Sequence, residues 1–290
     1  MAARMRTSEL LVKLGISSDF VDTDLPRGTM SHSQYTSFKI CGQAYYYKYV
    51  EARVSPGYAA TTRGSAVHSG IEFALLQKMN TKTIPSLADA LTVVGSSFDT
   101  EAAQVVSWGE TSEGKIKDNA LALYKVFHEQ SLPNLNPVAV EKGFAVKVGD
   151  VPVVGYIDMI DDVSAVVLTG LPDDVAALTP RKLVVVDSKT SSKKWSESQV
   201  RSNVQLTLYS GVENTPHVRI DQLVQTESGK VSLNVVNSDR TQQDIKVLEE
   251  DYQEVAALIK KGIFPKTSID SWGCNEKHCS FYYDCRGKKK

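Results

Sequence analysis

The sequence lacks any long apolar run, and its first residues do not resemble a secretory signal. A helix that crosses a bilayer needs about 20 mostly apolar residues, and no segment of that kind is present. Residues 1–6 contain two arginines and no apolar stretch of the length that a secretory signal carries. We therefore expect a cytoplasmic protein that has no membrane partner.

Neither basic nor acidic residues are in excess. The chain has 33 Lys and Arg against 34 Asp and Glu, which gives a formal net charge of -1. A balanced chain has no global attraction for nucleic acid, so binding to a polyanion would require a local concentration of basic residues. The 290 residues are 42% hydrophobic, which is ample for a sizeable core.

Cysteine is scarce and unevenly placed. Cys41 stands alone, whereas Cys274, Cys279 and Cys285 lie close together near the C-terminus. Structural disulfides are rare in a reducing compartment, so these four residues need another explanation. Binding of a metal or cluster by thiolates is one explanation, and ordinary buried cysteines are the other.

Hydrophobic periodicity predicts that the chain contains both helices and strands. Helical spacing dominates up to about residue 130, and strand-like alternation begins near residue 138. The predicted helices span about residues 8–14, 31–49, 63–79, 85–108, 115–130, 197–210 and 242–261. The predicted strands span about residues 140–146, 151–160, 165–168, 183–190, 217–226 and 230–236.

Aromatic residues recur at helical spacing in the second predicted helix. Tyr35, Phe38, Tyr45 and Tyr49 belong to this stripe, and Cys41 lies on or near the same face. Tyrosine rings can stack on nucleobases, but a stripe with this spacing is more often part of a core. We favour the core.

The strand at residues 183–190 ends abruptly in polar residues. Four apolar residues are followed by Asp187, Ser188 and Lys189. Because side chains alternate along a strand, Asp187 and Lys189 are expected on the same face. A carboxylate there can hold a divalent cation while the ammonium faces an anion; the alternative is a solvated turn at the end of the strand.

A second acid lies inside an apolar strand. Asp158 is flanked by Ile157 and Met159, and burying a carboxylate is costly unless it is paired or bound to a cation. Asp161 and Asp162 are expected in the following turn, exposed to solvent. Two acids on neighbouring strands can converge on Mg²⁺ or Mn²⁺, because hard oxygen ligands suit those ions.

Two helices add polar side chains to this pattern. His68 and Glu72 are four residues apart near the start of a predicted helix, so they share a face. His68 is a candidate metal ligand, and a capping or packing histidine is the alternative. Gln205 and Tyr209 have the same spacing on the helix after Lys189.

This order of motifs resembles the PD-(D/E)xK nuclease superfamily, and within it the RecB-type exonucleases, which include the CRISPR-associated RecB-like proteins and their phage relatives. Each motif is weak alone, but the ordered set of four is specific. The motifs are Gly-x-x-x-His at residues 64–68, Gly-x-x-Asp at 155–158, Asp-x-Lys at 187–189 and Gln-x-x-x-Tyr at 205–209.

The resemblance implies an α/β fold with a restriction-endonuclease-like core, in which a central mixed sheet is flanked by helices. This core would bind Mn²⁺ or Mg²⁺ and cleave DNA. The implied metal ligands are His68, Asp158 and Asp187. The implied catalytic residues are Asp158, Asp187 and Lys189, with Gln205 and Tyr209 lying against the active site and the DNA. Glu141 stands where relatives often carry an acid on the first strand. The resemblance therefore implies Glu141 as a supporting residue of the site, and a surface glutamate without a role there is the equal alternative.

The resemblance also predicts a single nuclease domain over residues 1–290. Its expected parts are an N-terminal segment at residues 1–62, a helical part at 63–136, a catalytic core sheet at 137–240 and a C-terminal segment at 241–290.

Some RecB-type nucleases hold a 4Fe-4S cluster with one cysteine upstream of the core and three downstream. The cysteines here have that distribution, so the resemblance implies Cys41, Cys274, Cys279 and Cys285 as cluster ligands that staple the N- and C-terminal segments. The downstream spacing of four and five residues departs from the family's two and five. His278 is therefore an alternative ligand, and a four-thiolate zinc site is the rival to the cluster.

The expected function is a metal-dependent DNA exonuclease that acts on single strands or DNA ends, in recombination, repair or spacer-type end processing. Candidate contacts to the DNA backbone include Lys193, Lys194, Arg201 and Arg63. The alternatives are a structure-selective endonuclease and a non-catalytic iron–sulfur subunit that binds DNA. A homo-oligomer, or a partner protein from a recombination or adaptation complex, is also considered.

Overall fold

The computed structural model describes residues 7–55, 57–108, 111–164, 182–276 and 278–287. The chain forms two compact units. The first comprises residues 57–142 and 156–241, and the second comprises the described residues before Gly57, residues 143–155 and the described residues after Thr241. The expectation of a single domain stays a prediction.

The helices occupy both units. They are α1 (Thr7–Lys13), α2 (His32–Ile40), α3 (Gly42–Tyr45), α4 (Ala59–Thr81), α5 (Leu87–Ala102), α6 (Glu113–Val126), α7 (Glu197–Arg201), α8 (Val204–Glu213), α9 (Gln242–Lys260) and α10 (Tyr282–Arg286). Two π-helical turns, Tyr46–Val50 and Phe127–Ser131, extend α3 and α6. None of the described helices is long and apolar enough to cross a membrane.

Five strands form a mixed sheet: β3 (Pro137–Val148), β4 (Val151–Asp162), β5 (Leu183–Ser191), β6 (His217–Gln225) and β7 (Val231–Asp239). Their order in the sheet is β3-β4-β5-β6-β7. Strands β4 and β5 are antiparallel, β5 and β6 are parallel, and β6 and β7 are antiparallel. Strands β1 (Gly57–Tyr58) and β2 (Val105–Ser107) form a separate parallel pair. The mixed sheet with flanking helices confirms the predicted fold class at this level.

The core of the first unit lies between the sheet and helices α4, α5 and α6. Val184 and Val186 of β5 belong to the same buried cluster as Val67 of α4 and Phe98 of α5. The helices pack closely because Gly70 has no side chain: a Cβ there would lie 2.7 Å from the Tyr124 ring. Helix α8 packs against β5 and β6.

In the second unit, the predicted helix over residues 31–49 is interrupted. The side chain of Ser31 caps α2, but Cys41 is extended at φ -163° and separates α2 from α3. Gly42 starts the next helix with its Cα so near Pro265 that a Cβ would lie 2.8 Å from the proline ring. The aromatic stripe is core as predicted, since Tyr35 and Tyr45 are buried.

Other helix boundaries also differ from the predictions. Residues 103–108 do not continue α5 and include β2 instead. The helix predicted at residues 197–210 is two helices, because Asn203 caps α8 with its side chain while the buried Arg240 donates to the carbonyl of Val200 at 2.7 Å. The strand predicted at residues 165–168 lies outside the described residues.

Asp161 was expected in a solvated turn, and the structure corrects this. It lies in β4, almost completely buried, and its Oδ2 is 3.0 Å from Nη1 of Arg219. Arg219 also donates through Nε to Asp221 at 2.8 Å. Burial disfavours the charge on Arg219, but Asp221 and Asp161 outweigh burial and raise the pKa of the guanidinium. Three buried charged groups therefore hold β4 to β6 across the sheet.

Candidate active site

Asp158 and Asp187 lie where β4 and β5 separate. The antiparallel pairing of the two strands ends at Met159 and Val186, the residues next to these acids. Asp158 is 8% exposed and Asp187 is 1% exposed. The backbone N–H of Ser188 donates to Oδ2 of Asp158 at 3.1 Å, which ties the first acid to the second strand.

Lys189 connects Asp187 to helix α8. Its Nζ is 2.7 Å from Oδ2 of Asp187, which confirms that the two side chains share a face. The same ammonium donates to Oε1 of Gln205 at 2.9 Å, and Nε2 of Gln205 donates to the hydroxyl of Tyr209 at 2.8 Å. A continuous polar chain thus runs from the sheet to the helix, and it fixes the direction of the lysine.

His68 approaches Asp158 from helix α4. Its Nδ1 is 3.8 Å from Oδ2 of Asp158. The helix was expected to begin near Arg63, but it begins at Ala59, so His68 lies well inside it rather than at its start. The predicted site residues are thus connected by pairwise contacts: His68 with Asp158, Asp158 with the backbone of Ser188, Lys189 with Asp187 and Gln205, and Gln205 with Tyr209.

The donor chemistry of this cluster fits a hard divalent cation. Two carboxylates and an imidazole are suitable ligands for Mn²⁺ or Mg²⁺. His68 and Asp158 would be two of the cation's ligands, and their Nδ1 and Oδ2 atoms lie 3.8 Å apart. In the described part of the chain, however, no group of three or more His, Cys, Asp or Glu is arranged as a metal site.

Glu141, the third candidate acid, lies in β3 with a φ of +46°. A left-handed conformation is uncommon for a residue other than glycine and is typical of a bulge in a strand. The next residue, Lys142, is 2.8 Å from Glu213 at the end of α8. The supporting role of Glu141 stays a prediction.

The loop after β5 is held by a residue that the sequence analysis missed. Gln222 of β6 is completely buried, and its Nε2 donates to the carbonyl of Lys193 at 3.0 Å. Its Oε1 accepts from the backbone N–H of Trp195 at 2.9 Å and from Asn234 at 3.0 Å. This network fixes the backbone of residues 193–195 while Lys193 and Lys194 remain exposed.

Replacing Gln222 with leucine should loosen this loop. The N–H of Trp195 and the amide of Asn234 would lose their shared acceptor, at a cost of about 1–3 kcal/mol in the free energy of unfolding. Trypsin should then cleave faster after Lys193 or Lys194 in the folded protein. Gln104→Leu, at an exposed glutamine, serves as the control, and equal cleavage rates in the two variants would contradict the assignment.

The four cysteines line one cleft of about 310 Å³ in the second unit, together with Tyr47, Phe281 and Arg286. All four are free thiols. Burial raises the pKa of Cys279, and the other three cysteines add to the increase because their charged forms would repel its thiolate. Arg286 lies beside Cys274, which raises the pKa of the guanidinium.

His278, the alternative ligand, packs edge-on against the Trp272 ring with 5.9 Å between ring centroids, and the residues that line the cleft do not include it. His278 therefore does not line the cleft with the four cysteines.

The class of protein follows from a comparison with known families. Residues 29–286 match the family model of the PD-(D/E)XK nuclease superfamily, and the chain therefore belongs to that superfamily of nucleases. The five-stranded mixed sheet and its flanking helices are consistent with the core of that superfamily.

Comparison with solved structures gives one likeness that supports the fold. A presumed exonuclease from Eubacterium rectale, known from a crystal structure, superposes with a TM-score of 0.53 at 12% identity, over 99% of this chain and 96% of that chain. The crystal structure of SSO0001 superposes with a TM-score of only 0.34 at 14% identity, over 88% of this chain and 96% of that chain. None of the curated proteins matches the chain.

Proposed function

We propose that this protein is a metal-dependent DNA exonuclease that acts on single-stranded DNA or DNA ends. The observation that carries the proposal is the meeting of Asp158, Asp187 and Lys189 where two strands separate, with His68 beside the first acid. Membership of a nuclease superfamily supports hydrolysis of phosphodiester bonds. The likeness to a presumed exonuclease supports action at ends.

His68, Asp158 and Asp187 would hold the cation. When bound there, Mn²⁺ or Mg²⁺ would supply acidification of a water molecule and stabilisation of negative charge on the phosphate. Burial of both carboxylates strengthens their attraction for a cation, because water screens the interaction less than at the surface.

Lys189 would face the scissile phosphate. Asp187 and Gln205 hold its ammonium from two sides, so the charge has a fixed position before substrate arrives. A preorganised positive charge stabilises the extra negative charge that develops on the phosphoryl oxygens in the transition state. Tyr209 supports this position through Gln205.

Lys193 and Lys194 would contact the DNA backbone from the loop that Gln222 holds. Both side chains are exposed, and they follow the end of the catalytic strand β5 by two and three residues; Arg201 at the end of α7 is also exposed. Such contacts are electrostatic, so added salt should weaken binding. Recombination, repair and spacer-type end processing are the settings in which we place this activity.

A comparison of linear and circular single-stranded DNA tests the proposal. With Mn²⁺, the protein should shorten linear DNA progressively and leave the circle intact, because a circle has no end. Nicking of the circle would favour the structure-selective endonuclease. Binding without cleavage of either form would favour a non-catalytic DNA-binding subunit and would contradict the proposal.

We also propose that Cys41, Cys274, Cys279 and Cys285 hold a 4Fe-4S cluster. Their convergence on one cleft supports a four-thiolate site, which suits a cluster or zinc. Arg286 would offset part of the negative charge of the thiolates.

Replacing Cys279 with serine should therefore remove the cluster. Wild-type protein purified without oxygen should be brown and contain about four iron atoms per chain. The Cys279→Ser variant should lose most of the iron and the visible absorption, whereas Ser280→Ala next to it should keep both. Colourless wild-type protein that contains one zinc per chain would contradict the cluster assignment.

A further inference from the structure

Arg63 in helix α4 has a positive charge that the described protein does not neutralise. Its side chain is partly buried, and its Nε atom is inaccessible to solvent. No described residue accepts a hydrogen bond from that Nε atom. Burial lowers the pKa of the guanidinium, and no nearby carboxylate acts in the opposite direction. A desolvated charge in this state costs free energy in the folded protein.

Glu101, an acid near this part of α4, does not act as the counter-ion. Its carboxyl interacts with Ser65, which lies two residues after Arg63. Burial raises the pKa of Glu101, and a guanidinium in contact would lower it. Among the described residues, no acid therefore acts on the guanidinium of Arg63 as a counter-ion.

Arg63 lies close to the catalytic end of β5. The adjacent Gly64 faces Thr190, since a Cβ on Gly64 would lie 3.4 Å from the threonine hydroxyl. Thr190 directly follows Lys189. Along α4, Arg63 precedes His68 by five residues, or about 7.5 Å at 1.5 Å per residue. Arg63 is thus on the helix that supplies His68, beside the end of the strand that supplies Asp187 and Lys189.

A phosphate group is the natural partner for such a side chain. The planar guanidinium presents paired N–H donors that match two phosphate oxygens, and such charge-assisted bonds are strong when water is excluded. We propose that Arg63 binds a phosphate group of the DNA strand next to the cleaved bond, on the α4 side of the site. This inference rests on the proposed nuclease function.

DNA binding in the absence of cleavage tests the inference. In a Lys189→Ala background, Arg63→Met should weaken binding of single-stranded DNA about tenfold, and the slope of log K against log salt should become shallower by about 0.7, the value for one phosphate contact. Arg27→Met, which removes an exposed arginine from the second unit, should leave that slope unchanged. An unchanged slope in Arg63→Met would overturn the inference.

Oligonucleotides with and without a 5′-terminal phosphate distinguish two sources of the phosphate. If Arg63 binds the terminal phosphate, Arg63→Met should weaken only the phosphorylated oligonucleotide. If it binds an internal phosphodiester, both should weaken equally. Either result supports the inference, and equal affinity of Arg63→Met and its parent for both oligonucleotides contradicts it.

Thermal stability separates this role from a structural one. Because Arg63 is desolvated without a counter-ion, Arg63→Met should unfold at the same temperature as the wild type or higher. Inorganic phosphate should raise the unfolding temperature of the wild type and have a smaller effect on Arg63→Met. A large fall in the unfolding temperature of Arg63→Met without phosphate would show that the residue is structural and would overturn the inference.

Failure of the nuclease proposal can be distinguished from failure of the role proposed for Arg63. If the wild type neither cleaves nor binds DNA, the nuclease proposal is wrong. If the wild type cleaves and binds, and Arg63→Met binds with an unchanged salt slope, only the role of Arg63 is wrong.

Discussion

Replacing Lys189 with alanine should lower the rate of DNA cleavage by about 100- to 1,000-fold, the usual effect of removing one preorganised group that stabilises transition-state charge. The loss should be in kcat rather than in DNA affinity, because the ammonium is directed by Asp187 and Gln205 into the site and not toward the surface. Single-turnover cleavage of end-labelled DNA, with affinity measured separately by fluorescence anisotropy, gives both quantities.

Two further variants make this prediction specific. Gln205→Leu removes one of the two groups that position the lysine and leaves Asp187 in place, so cleavage should fall by only roughly tenfold. Asp239→Asn changes an exposed acid that pairs with His217 on the surface, and it should cleave at the wild-type rate. If Lys189→Ala cleaves as fast as Asp239→Asn, the assignment of the lysine is wrong.

Replacing Arg219 with methionine should destabilise the protein by about 3–5 kcal/mol. The change would leave Asp161 and Asp221 buried without the cation that lies within 3.0 Å of both. Ser131 also donates to Asp221 at 3.2 Å, but a neutral hydroxyl does not replace the lost charge. Urea unfolding followed by circular dichroism measures the difference in the free energy of unfolding.

An exposed arginine is the matched control for this measurement. Arg201→Met at the end of α7 should change the free energy of unfolding by less than about 0.5 kcal/mol. A triple variant with apolar residues at Asp161, Arg219 and Asp221 should recover much of the loss, because no buried charge would remain unpaired. An Arg219→Met variant as stable as Arg201→Met would show that the cluster does not hold the sheet together.

Asp158 could be singled out from the sequence because a carboxylate inside an apolar strand needs a partner, and the structure places it beside Ser188 and His68. The same argument applies to Arg219 and Asp221, which alternate with apolar residues along β6. Arg219 and Asp221 belong to none of the four motifs, so the motifs alone do not identify them. The polar residues within β6 were the available signal.

Other features leave little trace in the sequence. Gln222 holds residues that lie 27 and 29 positions away, so no local pattern reveals its role. The start of α4 was placed too late because Tyr58, at its N-cap, makes no side-chain capping hydrogen bond. The break at Cys41 depends on the packing of Gly42 against Pro265, more than 200 residues away along the chain.

Cleavage of end-labelled DNA by purified wild type and Asp187→Asn, each with Mn²⁺ and with a chelator, tests the central claim most directly. The account predicts that only the wild type with Mn²⁺ releases the label, because Asp187 both holds Lys189 and would bind the cation. Cleavage by Asp187→Asn at the wild-type rate, cleavage in the chelator, or an inactive wild type would contradict it.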